Sequence, residues 1–228
     1  MTGEPDPKSA TTSLDVSLLD PALLDAATFQ RLIGLTRAAE RLWRDISLTP
    51  ATLSSSNKAH SVRVALLSMR IAEAMGLGAE RARRTLWAAF LHDIGNLAVP
   101  EPIMLKPTRL TSAERAAMEV HPLVGSELLN AFPATRDVAR IVLSHHERHD
   151  GKGYPRGLAG RIIPVEARIL AVADALDAMT SKRPYRNPIE FSAALDEIAR
   201  ESGRQFDPRV VAAVIERLKH HDAESLRR

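Results

Sequence analysis

The chain has 228 residues, 45% of them hydrophobic and 26% charged, with a formal net charge of +3 and no cysteine. That length suits one domain with an appendage and is enough to bury a real core. The absence of cysteine excludes disulfides and thiolate metal sites, so a metal would have to be held by His, Asp or Glu.

Residues 1–13, MTGEPDPKSATTS, are polar and proline-containing, which predicts a disordered tail without the apolar core of a signal peptide. No apolar run approaches the roughly 20 residues of a membrane span, so the expectation is a cytoplasmic protein with no membrane partner. Over residues 14–50 apolar side chains recur at helical spacing (Leu32, Leu35, Ala39, Leu42, Trp43, Ile46), predicting a helical N-terminal extension. It is too short for a receiver or sensor domain. Residues 47–58, SLTPATLSSSNK, read as a linker or a helix start.

Helical patterns follow at 58–76, 80–93, 111–130, 135–146, 164–181, 189–201 and 208–220, and the remainder, 221–228, is a polar tail. Thr111 or Ser112 opens one helix, and Asp207 followed by Pro208 opens the last. No alternating strand pattern stands out, so the fold class is all-α.

Six of the eight histidines fall in the central region: His60, His92, His121, His145, His146 and His149. His60 begins a stripe continued by Val64, Leu67, Ile71 and Met75, which turns its ring inward. His92 and Asp93 close the apolar run LWAAFLHDIG, where Gly95 is expected to end the helix. His121 falls late in the 111–130 helix, and His145 and His146 end DVARIVLSHH. Asp174 interrupts the apolar ARILAVADALDAM, where a carboxylate is costly unless paired, with Arg168 for example, or bound to metal.

Any one of these has an ordinary packing explanation. Five inward imidazoles and two carboxylates on separate helices do not. Nitrogen and oxygen donors without sulfur suit Fe, Mn, Zn, Ni or Co. Seven ligands are too many for one ion with an open position, so a two-metal centre fits better. Adjacent helical residues diverge by about 100°, so His145 and His146 either serve different ions or approach from a frayed helix end.

The blocks HSVRV, LHDIGN, KPTRLTSAERAAMEVHPLVGSELL, HHERHDGKGYPRGL, IPVEARILAVADALDAMTSKRPYR and SGRQFDP occur in order between about residues 56 and 218. Together they resemble the HD-GYP family, metal-dependent phosphodiesterases of cyclic di-GMP within the HD phosphohydrolase superfamily. The resemblance implies an HD-type helical bundle over residues 51–220. It implies metal ligation by His60, His92, Asp93, His121, His145, His146 and Asp174, with Asp93 bridging two divalent ions, Fe or Mn foremost. Gly153, Tyr154 and Pro155 become the signature loop, with Tyr154 touching the ligand. Arg183 and Arg186 become phosphate or guanine contacts, Arg183 also catalytic, and Asp177 an outer-shell carboxylate.

The implied reaction is attack by a hydroxide held between the ions, giving linear pGpG, with further hydrolysis to GMP left open. Two departures matter. Asn96 stands where the family commonly has a phosphate-contacting Lys, and Ser56 stands where some members carry a Glu for a third ion. His149 occupies a position that is often aromatic in the family and reads as outer-shell or exposed. An inactive cyclic di-GMP-binding module and a phosphohydrolase of another nucleotide remain the alternatives. The partner is a small nucleotide, with a signalling protein or a second copy of the chain left open, and not a nucleic acid polymer.

Overall fold

The computed structural model describes residues 55–181 and 187–225, with side chains described within 59–181 and 187–217. The expected tail at 1–13, the extension at 14–50, Arg183 and Arg186 lie outside the described residues, as does the side chain of Ser56.

The described residues form an all-α bundle without a named strand. Its helices are α1 (Ser55–Ala74), α2 (Ala79–Leu91), α3 (Glu101–Met104), α4 (Ser112–Met118), α5 (His121–Asn130), α6 (Arg136–Leu143), α7 (Val165–Thr180), α8 (Phe191–Arg200) and α9 (Pro208–Ser225). Short 3₁₀ turns sit at Ile94–Ala98, Pro133–Thr135 and Gly160–Ile162. The last helix runs past residue 220, where the sequence pattern ends it.

α7 is the central post. Ala167, Ile169, Leu170, Val172, Ala173 and Leu176 are all sealed from solvent, as expected of a helix apolar around its circumference. α1 and α2 pack against it and against each other, contributing Val64, Ala65, Leu66, Leu86, Ala88 and Ala89. Truncating a sealed side chain such as Leu170 to Ala would cost about 2–5 kcal/mol.

Three expected helices end differently. The 111–130 pattern is two helices, because Pro122 cannot donate an N–H to the carbonyl of residue 118 and its ring crowds that carbonyl. Thr111 starts the first of them in a reciprocal capping box with Glu114. α2 stops at Leu91, and Gly95 is not its terminator. Gly95 lies in the following 3₁₀ turn, where an added Cβ would fall 1.9 Å from the His121 carbonyl oxygen and 2.6 Å from the Gly125 nitrogen. Hydrogen there lets the turn press on the start of α5. α6 ends at Leu143, so His145 and His146 approach from just beyond a helix end.

Candidate metal centre

Helix ends place most of the histidines. His92 follows α2, His121 opens α5, and His145 and His146 follow α6. Helix ends leave main-chain carbonyls free of partners, and three of the rings use them. His92 Nδ1 lies 2.7 Å from the Ala89 oxygen, His121 Nδ1 2.8 Å from Met118, and His145 Nδ1 2.6 Å from Val142. A carbonyl only accepts, so each Nδ1 carries a proton, and in the neutral ring each Nε2 is left with a bare lone pair.

His60 sits inside α1, where the neighbouring carbonyls serve the helix. Its Nδ1 instead donates to Asp177 Oδ2 at 2.7 Å. Arg63, one turn on, grips both oxygens of that carboxylate, Nε to Oδ1 at 2.5 Å and Nη2 to Oδ2 at 3.1 Å. The same Nη2 reaches Ser181 Oγ at 3.0 Å. Arg63 has no place in the sequence reading, although its spacing of three from His60 puts both on one helix face.

The freed Nε2 atoms converge. His121 Nε2 and His145 Nε2 stand 3.3 Å apart, and His60 Nε2 faces Asp174 Oδ1 at 3.4 Å. Asp93 turns one oxygen to each side, Oδ2 3.3 Å from His92 Nε2 and Oδ1 3.7 Å from His121 Nε2. Two groups of ligand atoms result, each within 4.8 Å of one another: His60 with His92 and Asp93, and His121 with His145 and His146. Six of the seven expected ligands therefore fall in two clusters, and Asp174 borders the first.

Lone pairs aimed at one another repel unless a cation lies between them. Protonation is a poor remedy here. Burial and the neighbouring imidazoles hold His145 well below the usual histidine range, and burial holds His146 at about 4 and lowers His121. His92 differs: burial opposes its charge, but Asp93 beside it outweighs burial and raises it to about 9. Burial also opposes the charge on Asp93, yet His92, His121 and His60 hold it well below the carboxylate range. The neutral imidazoles of His121, His145 and His146, the ionised Asp93 and a His92 whose proton a metal ion can replace form a donor set that fits divalent metal ions.

The Gly-rich loop closes one side. Tyr154 stacks on the ring of His146, centroids 4.8 Å apart and planes 29° apart. Burial, with Glu119, Asp93 and Asp174 nearby, pushes its hydroxyl above the usual range, so it stays a neutral donor. Gly153 is required by space, because a Cβ would meet the Arg148 nitrogen at 2.3 Å and the His146 oxygen at 2.5 Å. The Tyr154–Pro155 peptide is cis.

The loop's anchor is Glu147, buried to 3% exposure, whose carboxylate accepts from Arg156 N at 2.8 Å and Leu158 N at 2.9 Å. Glu147 is not among the residues singled out from the sequence. A carboxylate directly after the adjacent His145 and His146 and before a glycine-rich loop was the available signal. His149 is half-buried and belongs to the loop's clasp, its N–H donating to the Gln205 oxygen at 3.1 Å.

Asn96 lies three residues past Asp93, its Oδ1 shielded from solvent and without a donor. Arg168 does not pair with Asp174. It binds Asp207, which also accepts from Arg209 N at 2.8 Å at the start of α9.

Residues 32–210 match the family model described as HD domain. The chain is 48% identical over 149 residues to the cyclic di-GMP phosphodiesterase response regulator RpfG of Xanthomonas campestris, covering 64% of this chain and 39% of that one. It is 34% identical over 213 residues to the 3'3'-cGAMP-specific phosphodiesterase 2 of Vibrio cholerae, covering 89% of this chain and 41% of the other. The chain thus spans about two fifths of the length of these relatives. Among solved structures it resembles the HDG"Y"P protein Bd1817 of Bdellovibrio bacteriovorus, with a TM-score of 0.60 at 17% identity, covering 92% of this chain and 74% of that one. That likeness concerns the fold.

Proposed function

From the premise that the chain belongs to the HD domain family, and that its blocks are those of the HD-GYP group, we propose that it is a metal-dependent phosphodiesterase hydrolysing cyclic di-GMP to pGpG, with further hydrolysis to GMP left open. The observation that carries this reading is the pair of opposed acceptors, His121 Nε2 against His145 Nε2 at 3.3 Å and His60 Nε2 against Asp174 Oδ1 at 3.4 Å. Cations between these groups would turn that arrangement from a cost into a site.

His60, His92, Asp93 and Asp174 would hold one ion, and His121, His145 and His146 a second, with Asp93 shared. The donor set of imidazole and carboxylate favours Fe or Mn. When bound, such ions supply Lewis-acid activation of water and of a phosphoryl oxygen.

The chain's own groups do the rest. Main-chain carbonyls and Asp177 fix the ring orientations of His92, His121, His145 and His60, so that their Nε2 atoms face the site. Tyr154, held against His146, donates its neutral hydroxyl to the nucleotide. Gly153 and Pro155 shape the loop behind it. Arg183 steadies the charge developing on the phosphate, and Arg186 grips phosphate or guanine. Asn96 offers a neutral contact where a lysine would offer a charged one. Small nucleotides of this kind are intracellular signals, which agrees with a cytoplasmic location. Among the described residues no helix is long and apolar enough to cross a membrane.

Asn96 favours one second reading, a site that binds cyclic di-GMP without cleaving it. Protein loaded with Fe or Mn should carry close to two ions per chain and turn over cyclic di-GMP, with 3'3'-cGAMP as the competing substrate. Asp93→Ala should lose metal and drop turnover to background, read by elemental analysis and product chromatography. Two bound ions with no turnover of either nucleotide would leave the receptor reading in place of the enzyme.

A further inference from the structure

We propose that the end of the bundle opposite the histidines carries a second binding site, for a small phosphorylated anion. α2, α6 and α7 all point the same way: their later residues, or those just beyond, supply His92 and Asp93, His145 and His146, and Asp174 and Asp177. Their first turns converge on a cavity of about 430 Å³. At about 1.5 Å per residue, Glu166 in that cavity is about 12 Å along α7 from Asp174, so the two sites are separate.

Five arginines line the cavity: Arg81, Arg84, Arg140, Arg161 and Arg168. Against them stand two carboxylates. Glu166 takes Arg81 at 2.9 Å, and Asp137 lies 3.5 Å from Arg84 and 3.7 Å from Arg140. Arg84 also reaches the exposed Glu80 at 3.2 Å. Arg161 has no partner among the described residues. Arg168 is only 8% exposed; Asp207 takes its Nη1, while its Nε is shut off from solvent with no acceptor. α7 begins at this cavity on Pro164, and no side chain caps its first N–H groups.

These donors come from four separate elements, and Arg161 and the Arg168 Nε have no acceptor oxygen among the described residues. A phosphate group supplies such oxygens. Guanidinium forks bind phosphate oxygens in pairs, and an uncapped helix start attracts an anion. Asp137, whose side chain is 64% exposed, holds its arginines only through pairs of small net worth, so a dianion can displace it. The volume is that of a small-molecule pocket rather than of an extended peptide track. None of this rests on the phosphodiesterase reading.

The test is calorimetric titration of the metal-loaded full chain with inorganic pyrophosphate, beside Arg161→Glu and Arg84→Glu. Pyrophosphate bound at the histidine end is indifferent to both reversals. The expected result is a second binding component that weakens at least tenfold in each variant and fades with added salt, with metal content and melting temperature unchanged. Arg161 is exposed, so its variant folds whatever happens to Arg84→Glu. No binding component sensitive to either reversal would overturn the proposal. So would capture of a polyglutamate peptide in preference to pyrophosphate, which would make the face a protein contact.

Discussion

His92, His121 and His145 each give Nδ1 to the carbonyl three residues earlier, whereas His60 gives its Nδ1 to Asp177, 117 residues away in the chain. The two arrangements do the same chemical work, fixing the tautomer and leaving Nε2 free, but they are built differently. A ring at a helix end finds a spare carbonyl beside it. A ring inside a helix finds none, and a carboxylate must be brought from another helix and itself held down, here by Arg63. Three of these rings are therefore oriented by local backbone. The fourth is oriented by tertiary structure and is the one that a remote substitution can release.

The largest expected effect follows from that asymmetry. Asp177→Ala removes the acceptor for His60 and leaves Arg63, whose side chain is 19% exposed, with an unpaired charge. Breaking such a pair costs about 3–5 kcal/mol, the lower end applying to a group that keeps some solvent. Loss of an outer partner of a ligating imidazole weakens metal binding by about 10–100-fold. Urea denaturation and metal titration read the two separately. Arg63→Gln should give the same direction with a smaller loss. The matched insult to a main-chain-held ring is Gly95→Ala, which drives a Cβ into the His121 carbonyl and should shift the His121 side of the centre. Unchanged metal affinity in Asp177→Ala would mean that His60 needs no such support.

The same contrast explains what could be read in advance. The helices and the seven ligand candidates were legible because apolar period and His/Asp content are local in sequence, and the ordered blocks added the family. What was missed is non-local. Arg63 looks like surface charge until Asp177 is placed beside it, and Glu147 looks like loop polarity until the N–H groups of Arg156 and Leu158 turn onto it. Arg168 was a candidate for Asp174, six residues on, but that spacing is off the helix's three-and-four neighbour rule. Its partner, Asp207, comes from the segment leading into α9. The split at Glu119–Val120 was readable from Pro122, whose effect falls one turn back on the chain.

A smaller effect belongs to that pair. Burial opposes the charge on Asp207, but the Arg209 N–H and Arg168 outweigh it and lower its pKa. A carboxyl depressed in the folded state contributes stability that is fully present above its unfolded value of about 3.9 and is lost as pH falls through the folded value. Asp207→Asn should cost about 1.5–3 kcal/mol near neutral pH, the worth of a hydrogen bond to a charged group. The cost should shrink as the wild type is acidified below about pH 4. Denaturation curves at neutral pH and in acid check the sign. A deficit that stayed constant into acid would mean that Asp207 carries no linked proton. Metal content should not move, which separates this structural pair from the Asp177–Arg63 pair.

The smallest expected effect concerns Asn96, where the two ends of the argument, family pattern and local packing, disagree. The family's lysine would bring one positive charge to the substrate phosphate, and a charge-assisted hydrogen bond exceeds a neutral one by enough to change rate about tenfold. Asn96→Lys should therefore raise cyclic di-GMP turnover about tenfold, with the gain declining as salt screens the contact. Against this, Asn96 Oδ1 is shut away from solvent, so a longer side chain must find its way out of the 3₁₀ turn. Asn96 as a whole is half-buried rather than sealed, so the lysine stem has a way out of the turn. A melting temperature equal to wild type then accompanies the gain in turnover. A lower melting temperature with no gain would mean that position 96 points into packing rather than toward the phosphate. A tighter nucleotide complex with no turnover in either protein, both ions present, would establish the receptor reading. Of the three outcomes, the half-buried position of Asn96 and the clustered ligand set favour the first.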